Sequence, residues 1–378
     1  MSDSLLNIGF IPLVDCAPLV VAREKGFAAA EGLELRLVRE TSWANIRDRL
    51  AIGHFDAAHL LGPLVVAATL GAGHLQVPIV APVALNLGGN AITVSVPLWR
   101  QMVEAGAAVG APPALQAAAL ARVVRERAAA GAQPLTFAMV YPFSCQNYEL
   151  RLWLASAGLD PDADVRLVVL PPPLLADALR SGQIDGFCVG APWNSLAVSI
   201  GCGVIVNAMI DLWPQCPEKV VGMRRDWVDA HPSATAALVR AVVAAARWCD
   251  EPDNRPELAS LLSEPRHVGT TPAILRSTLE GRLPFVPDEP AQQRPDYIEF
   301  SSHWANVPWP EHGEWYYRQM LLWKQVREHP GQLGVARACF RSDLYAEAVA
   351  ELPGTPLPPR QRPAGVGTLF FERDVTRC

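Results

Sequence analysis

The sequence predicts an α/β protein of two lobes, and three observations carry that reading. The segment DRLAIGHFDAAHLLGP (48–63) recurs without a gap 129 positions later as DALRSGQIDGFCVGAP (177–192). Each copy stops a helix at a Gly (Gly53, Gly182), passes an Asp three residues on (Asp56, Asp185) and enters an apolar strand closed by Pro. That is the pattern of a helix ended in a left-handed cap before a buried strand. Each copy also closes a strand-helix-strand series, which builds a parallel sheet with its ligand crevice at the strand ends. Finally, a chain of 378 residues, half of them apolar and 19% charged, exceeds one ordinary core and suits two.

The elements follow in order. LNIGFIPLV is a first strand, APLVVAREKGFAAAEG a helix ending at Gly32, LELRLVRE a second strand, and WANIRDRLAIG a helix before the strand DAAHLL. VPIVAPVALN and NAITVSV are strands about Gly88 and Gly89. PALQAAALARVVRERAAAG is a helix, LTFAMVYP a strand, CQNYELRLWLASAG a helix, VRLVVLPP a strand, and LLADALRSG the helix before the second echo. This order predicts a first lobe over 1–88, an inserted lobe over 89–190, and a return to the first lobe over 191–378. Two chain crossings between lobes make a hinge. Beyond it, SATAALVRAVVAAARWCDE is an amphipathic helix, EWYYRQMLLWKQVRE a helix packing across the first lobe, and PGTPLPPRQRP a loop or extended arm. Trp304 to Trp323 could dock a partner, but at helical spacing such aromatics are more often core.

The net charge of −6 argues against a nucleic-acid surface, which needs a basic stripe to neutralise phosphates. The start, MSDSLLNIGFIPLVDCAPLVV, has no charged region followed by a continuous apolar run, because Asn7, Pro12 and Asp15 interrupt it. No apolar run reaches the roughly 18 residues of a membrane span, and the expectation is a cytoplasmic protein with no membrane contact. The eight Cys show no CxxC and no zinc-like spacing with His, so neither a disulfide framework, a metal nor another cofactor is expected.

The segments IGFIPLVDCAPLVVAREKGF, SWANIRDRLAIGHFDAAHLLGP, ALNLGGNAITVS, NYELRLWLASAGLDPDADV, DGFCVGAPWN and PEKVVGMRRDWVDAHPSAT resemble the nitrate- and bicarbonate-binding proteins of ABC transport systems. The resemblance covers nearly the whole chain. It implies the type II periplasmic-binding-protein fold, with a ligand in the cleft between two lobes joined by a two-strand hinge. It also implies an anion site formed by Trp43, Asn90, Gln146, Gly190 and Lys219.

A small planar monoanion needs a positive charge and several N–H donors, because enclosure strips its hydration. Lys219 would supply the charge; taken alone, beside Glu218, it reads as a solvated loop residue, and the match of PEKVV reverses that. Asn90 and Gln146 offer amide donors, although after two glycines Asn90 also suits a turn and Gln146 suits a helix start. Gly190 admits a backbone N–H close to the ligand or simply bends at the hinge, and Trp43 offers a wall and an indole N–H. Gln146 stands where many transport-type relatives have His, so the expected ligand is nitrate with nitrite left open. Carboxylates for a calcium-assisted bicarbonate site are not expected.

With a cytoplasmic location, the resemblance implies a nitrate sensor that holds an ANTAR-domain antiterminator until the anion arrives. The alternatives are the solute-binding subunit of a nitrate ABC importer and, less favoured, an enzyme on the same fold similar to thiamine-precursor synthases. The enzyme would draw on Cys145 or Cys188 with His59. The expected reading is binding without catalysis, since those side chains suit a core better than a catalytic pair.

Overall fold

The computed structural model describes residues 4–73, 75–359, 362 and 363. Two five-stranded mixed sheets form the two lobes. In the first, the order is Glu34–Arg39, Leu5–Phe10, Ala57–Leu61, Lys219–Arg224, Ile79–Ala84. In the second it is Arg166–Val169, Thr136–Met139, Gly186–Gly190, Asn90–Ser95, Gly203–Ala208. Read from these ends the two sheets have one topology. Three parallel strands are followed by an antiparallel strand that has just crossed from the other lobe.

The echoed segments occupy matching places in this plan. Gly53 and Gly182 hold φ of 77° and 72°, the left-handed caps that glycine adopts without a Cβ penalty. The carboxylate of Asp56 accepts the Asn7 backbone N–H at 2.8 Å, and that of Asp185 accepts the Thr136 N–H at 2.7 Å. Both Asp residues thereby pin the start of the echoed strand to the parallel strand beside it. Lys219 pairs with Leu61 and Asn90 with Gly190, so each lobe's crossing strand begins beside the last residue of its echoed strand. Lys219 and Asn90 are themselves 129 positions apart, the offset of the echo.

Most expected elements form, with local differences. The single helix expected over 17–32 is two, Ala17–Glu24 and Phe27–Ala30, because Gly26 turns the chain at φ 79°. The helix expected over 314–328 is Pro310–Leu322: it starts early because Pro at the first turn lacks only an N–H the helix does not use, and it stops before Lys324 at φ 56°. Unanticipated helices follow two strands directly, Gly62–Leu70 and Val96–Glu104. The strand Gly203–Ala208 hydrogen-bonds antiparallel to Asn90–Ser95, so the second sheet runs past the expected return at 190 and the second crossing lies between Ala208 and Lys219.

The C-terminal segment ties the lobes together. Ile298–Glu299 pairs with Leu87–Gly88 at the first crossing, and Tyr297 Oη donates to the Gly89 carbonyl at 2.9 Å. From the helix Pro310–Leu322, Tyr316 packs so closely on Gly62 that a Cβ there would lie 2.6 Å from its hydroxyl. On the same helix Trp315 packs at a tilt against Trp213 and edge-on against Tyr148, at centroid distances of 4.6 and 6.0 Å. Trp309 is buried, and Trp304, Trp315 and Trp323 are partly buried against the core, the core reading of this aromatic stretch. Over 353–359 the chain forms no helix or strand, as expected for the tail, while 360 and 361 lie outside the described residues.

Candidate functional site

Trp43, Asn90, Gln146, Gly190 and Lys219 converge from both lobes on one buried cluster. Lys219 is the first residue of the strand Lys219–Arg224, which aims its side chain at the junction of the lobes rather than into solvent. Its Nζ lies 3.0 Å from Asp15 Oδ2, contacts the Glu218 carboxylate, and sits 5.8 Å from the Trp43 ring centroid. Burial alone would favour the neutral amine, but Asp15 and Glu218 outweigh it and hold the ammonium above its ordinary range. Asp15 answers in kind: burial pushes its carboxyl up, and Lys219 and His59 more than reverse that.

Trp43 opens the helix Trp43–Ala51, whose cap is the Ser42 side chain accepting the Asn45 N–H. The ring meets His59 edge-on at 5.3 Å, and its indole N–H is buried with no protein acceptor. Gln146 lies in the first turn of the helix Cys145–Ser156; its Nε2 donates to Asn90 Oδ1 at 2.8 Å, while its Oε1 is buried and unpartnered. Asn90 is not a turn residue but begins a strand, and Gly88 and Gly89 make the turn before it at φ 69° and 89°. At Gly190 a Cβ would lie 3.4 Å from both Asn90 Oδ1 and Asp15 Oδ2, so glycine leaves the cluster its space.

The cluster differs from expectation in its charge. In place of a lone ammonium with neutral amides, Lys219 has two carboxylate partners, and a third carboxyl, Glu149, joins through Asn90. Asn90 Nδ2 lies 3.1 and 2.9 Å from the two Glu149 oxygens and 2.5 Å from Glu218 Oε1. Gln146 Nε2 also reaches Glu218, at 3.2 and 3.3 Å. Among the described residues no group of three or more His, Cys, Asp or Glu has the arrangement to hold a metal ion.

Sequence reasoning missed Asp15, Glu149 and Glu218. Glu218 adjoins Lys219 inside a segment already singled out. Asp15 precedes Cys16 as Ser144 precedes Cys145, 129 positions on, so the echo could have pointed to it. Glu149 carries no such signal, because its helix is buried from Cys145 through Leu154 and shows no polar face that would set it apart.

The cysteines and His59 are packed as the core reading expected. Burial pushes the thiols of Cys145, Cys188 and Cys216 well up, which keeps them protonated. His59 Nδ1 accepts the Ile11 N–H at 3.3 Å and its Nε2 faces Asp15 Oδ1 at 2.9 Å. Around the cluster the lobes are joined directly. The Val14 N–H donates to the Ala191 carbonyl at 2.9 Å, Trp193 Nε1 donates to the Pro12 carbonyl at 3.0 Å, and Arg47 hydrogen-bonds the Tyr141 hydroxyl.

Comparison with known proteins gives this geometry a context. Residues 2–263 match the NMT1-like family. The chain is 31% identical over 373 residues to the nitrate/nitrite binding protein NrtA of Synechococcus elongatus, covering 97% of this chain and 82% of that protein. It is 37% identical over 354 residues to the nitrate import ATP-binding protein NrtC of Synechocystis sp., covering 92% of this chain but only 50% of that protein, so it spans about half of that relative's length. The crystal structure of the periplasmic nitrate-binding protein NrtA from Synechocystis superposes with a TM-score of 0.87 at 27% identity, over 97% of this chain and 94% of that one. The two-lobed architecture is that of the type II periplasmic-binding-protein fold.

Proposed function

We propose, from the premise that this chain belongs to the NMT1-like family, that it is a solute-binding protein that encloses nitrate or nitrite between its lobes for an ABC-type importer. The observation that carries the proposal is the buried junction itself. An ammonium, two side-chain amides and an unpaired indole N–H meet there from elements of both lobes. A buried donor without an acceptor costs roughly 1–3 kcal/mol, so the Trp43 N–H favours a ligand that accepts a hydrogen bond. Nitrate and nitrite are such ligands: they accept at every oxygen and donate at none. The likeness to nitrate-binding proteins supports the same ligand class.

The reading is binding without catalysis. The thiols that a nucleophilic mechanism would use are held protonated by burial, and His59 is engaged on both sides.

Calorimetric titration with nitrate, nitrite and bicarbonate tests the proposal. Nitrate or nitrite is expected to bind, and Trp43→Phe, which keeps the ring and removes the N–H, to weaken binding roughly tenfold, the worth of one hydrogen bond to a charged group. Absence of binding by both nitrate and nitrite, whether or not bicarbonate binds, would overturn the reading. The partner is tested separately, with purified importer subunits. Capture of an ANTAR-domain antiterminator that nitrate dissociates would instead favour a cytoplasmic sensor, in which nitrate and partner weaken one another's binding by the same factor.

A further inference from the structure

The amide of Asn90 is over-subscribed. It has two N–H bonds to give, yet three carboxylate oxygens, both of Glu149 and one of Glu218, lie within hydrogen-bond distance of its nitrogen. Two buried carboxylates that share one amide cannot both stay charged without a large cost, so one of them carries a proton. Glu149 is the one placed to do so, because Glu218 has the Lys219 ammonium against it while Glu149 has only weak or neutral partners. Cys216 Sγ lies 3.0 Å from its Oε1 and Cys188 Sγ 3.6 Å from its Oε2.

We propose that Glu149 is a positioning residue whose proton licenses anion binding: as an acid it releases an Asn90 N–H to the ligand and removes one negative charge, and as a carboxylate it holds that amide and repels the anion. The inference rests on the proposed oxyanion site and says how that site is controlled. The proton comes from solvent, so ligand and proton enter together whenever the free site is deprotonated. Burial, and then the neighbouring Glu218, raise the Glu149 carboxyl to about 8, which puts the change in an accessible range.

Glu149 is faced by Asn90, by Glu218 and Lys219, by Cys188 and Cys216, by Cys145 and Gln146 of its own helix, and by Tyr297. The thiols and the Tyr297 phenol are pushed up by burial and stay neutral through this range. His59 lies on the far side of Asp15, where its Nδ1 accepts the Ile11 N–H.

Nitrate is the probe, since its own charge does not change between pH 6 and 9. Titration in two buffers of different ionisation enthalpy counts protons. For the wild type, uptake of about one proton per nitrate is expected at pH 9 and almost none at pH 6. The apparent Kd should be flat below about pH 7 and roughly tenfold weaker at pH 9 than at pH 7, the dependence of a free-site group that titrates near 8. Glu149→Gln, uncharged at any pH, should bind with a Kd independent of pH and take up no proton. Nitrate binding with no proton uptake at pH 9, or with the pH dependence intact in Glu149→Gln, would overturn this inference and leave the oxyanion site standing. No binding of nitrate or nitrite at any pH would overturn both. The wild-type proton count decides the matter even if the variant does not fold.

Discussion

Lys219 shows how far one residue's role depends on partners distant in the chain. Its ammonium is held by Glu218 beside it and by Asp15 from the start of the chain, so its removal takes from two buried carboxylates the ammonium they share. Lys219→Met is accordingly expected to destabilise the fold by about 3–5 kcal/mol, the cost of breaking a buried pair from one side, measured as a shift in the urea midpoint. A neutral partner, Lys219→Met with Asp15→Asn, should recover part of that loss. The candidate ligand residues were legible because four of them lie in segments resembling known anion binders and Gln146 directly precedes another. The carboxylates that set the charge of the site were not, because nothing in the local pattern says that Asp15 and Glu149 approach a strand more than 60 residues beyond the nearer of them. The sign of the Glu149 effect on stability is also defined. Its raised carboxyl contributes stability fully present below its unfolded value, and that contribution is lost as pH rises through about 8.

At the scale of elements, the echo proves to be a register device. Asp56 and Asp185 each accept a backbone N–H from the neighbouring parallel strand across the same sequence gap of 49, and both sit at the mouth of the echoed strand. Replacing either by Ala removes a charged acceptor from a part-buried N–H and should cost about 1.5–3 kcal/mol, with closely similar losses for the two variants in urea unfolding. The Gly, Asp and Pro punctuation made these strands readable. The strand Gly203–Ala208 was not assigned, because its short run GVIVNA does not reveal which sheet it joins. Its antiparallel pairing with Asn90–Ser95 moved the return between lobes beyond 190. The helix Gly62–Leu70 was missed for a related reason: eight of its nine residues are buried, so it has no polar face to show a helical period.

For the whole molecule, closure rests on contacts that only a joined pair of lobes can make. Arg47 of one lobe bonds the Tyr141 hydroxyl of the other, and Tyr148 Oη donates to Gln325 at 2.7 Å while Gln325 returns a bond to the Pro142 carbonyl at 2.9 Å. Tyr141→Phe keeps the ring and loses the first of these. It should raise the nitrate dissociation rate several-fold, as roughly 0.5–1.5 kcal/mol of closed-form stabilisation disappears, read by stopped-flow displacement. The two-lobed plan was readable from length and echo, whereas the lacing of the C-terminal segment over both lobes was not, since it depends on where Trp315 and Tyr297 land in space. The exchange of strands at the crossings has one more result, for biosynthesis. Every strand of the second sheet lies within a continuous stretch from Asn90 to Ala208, but the first sheet needs Lys219–Arg224 between Ala57–Leu61 and Ile79–Ala84. On the ribosome the inserted lobe can therefore assemble as soon as it emerges. The N-terminal lobe must wait with a gap in its sheet and bare strand edges, the state in which chains aggregate and chaperones are recruited.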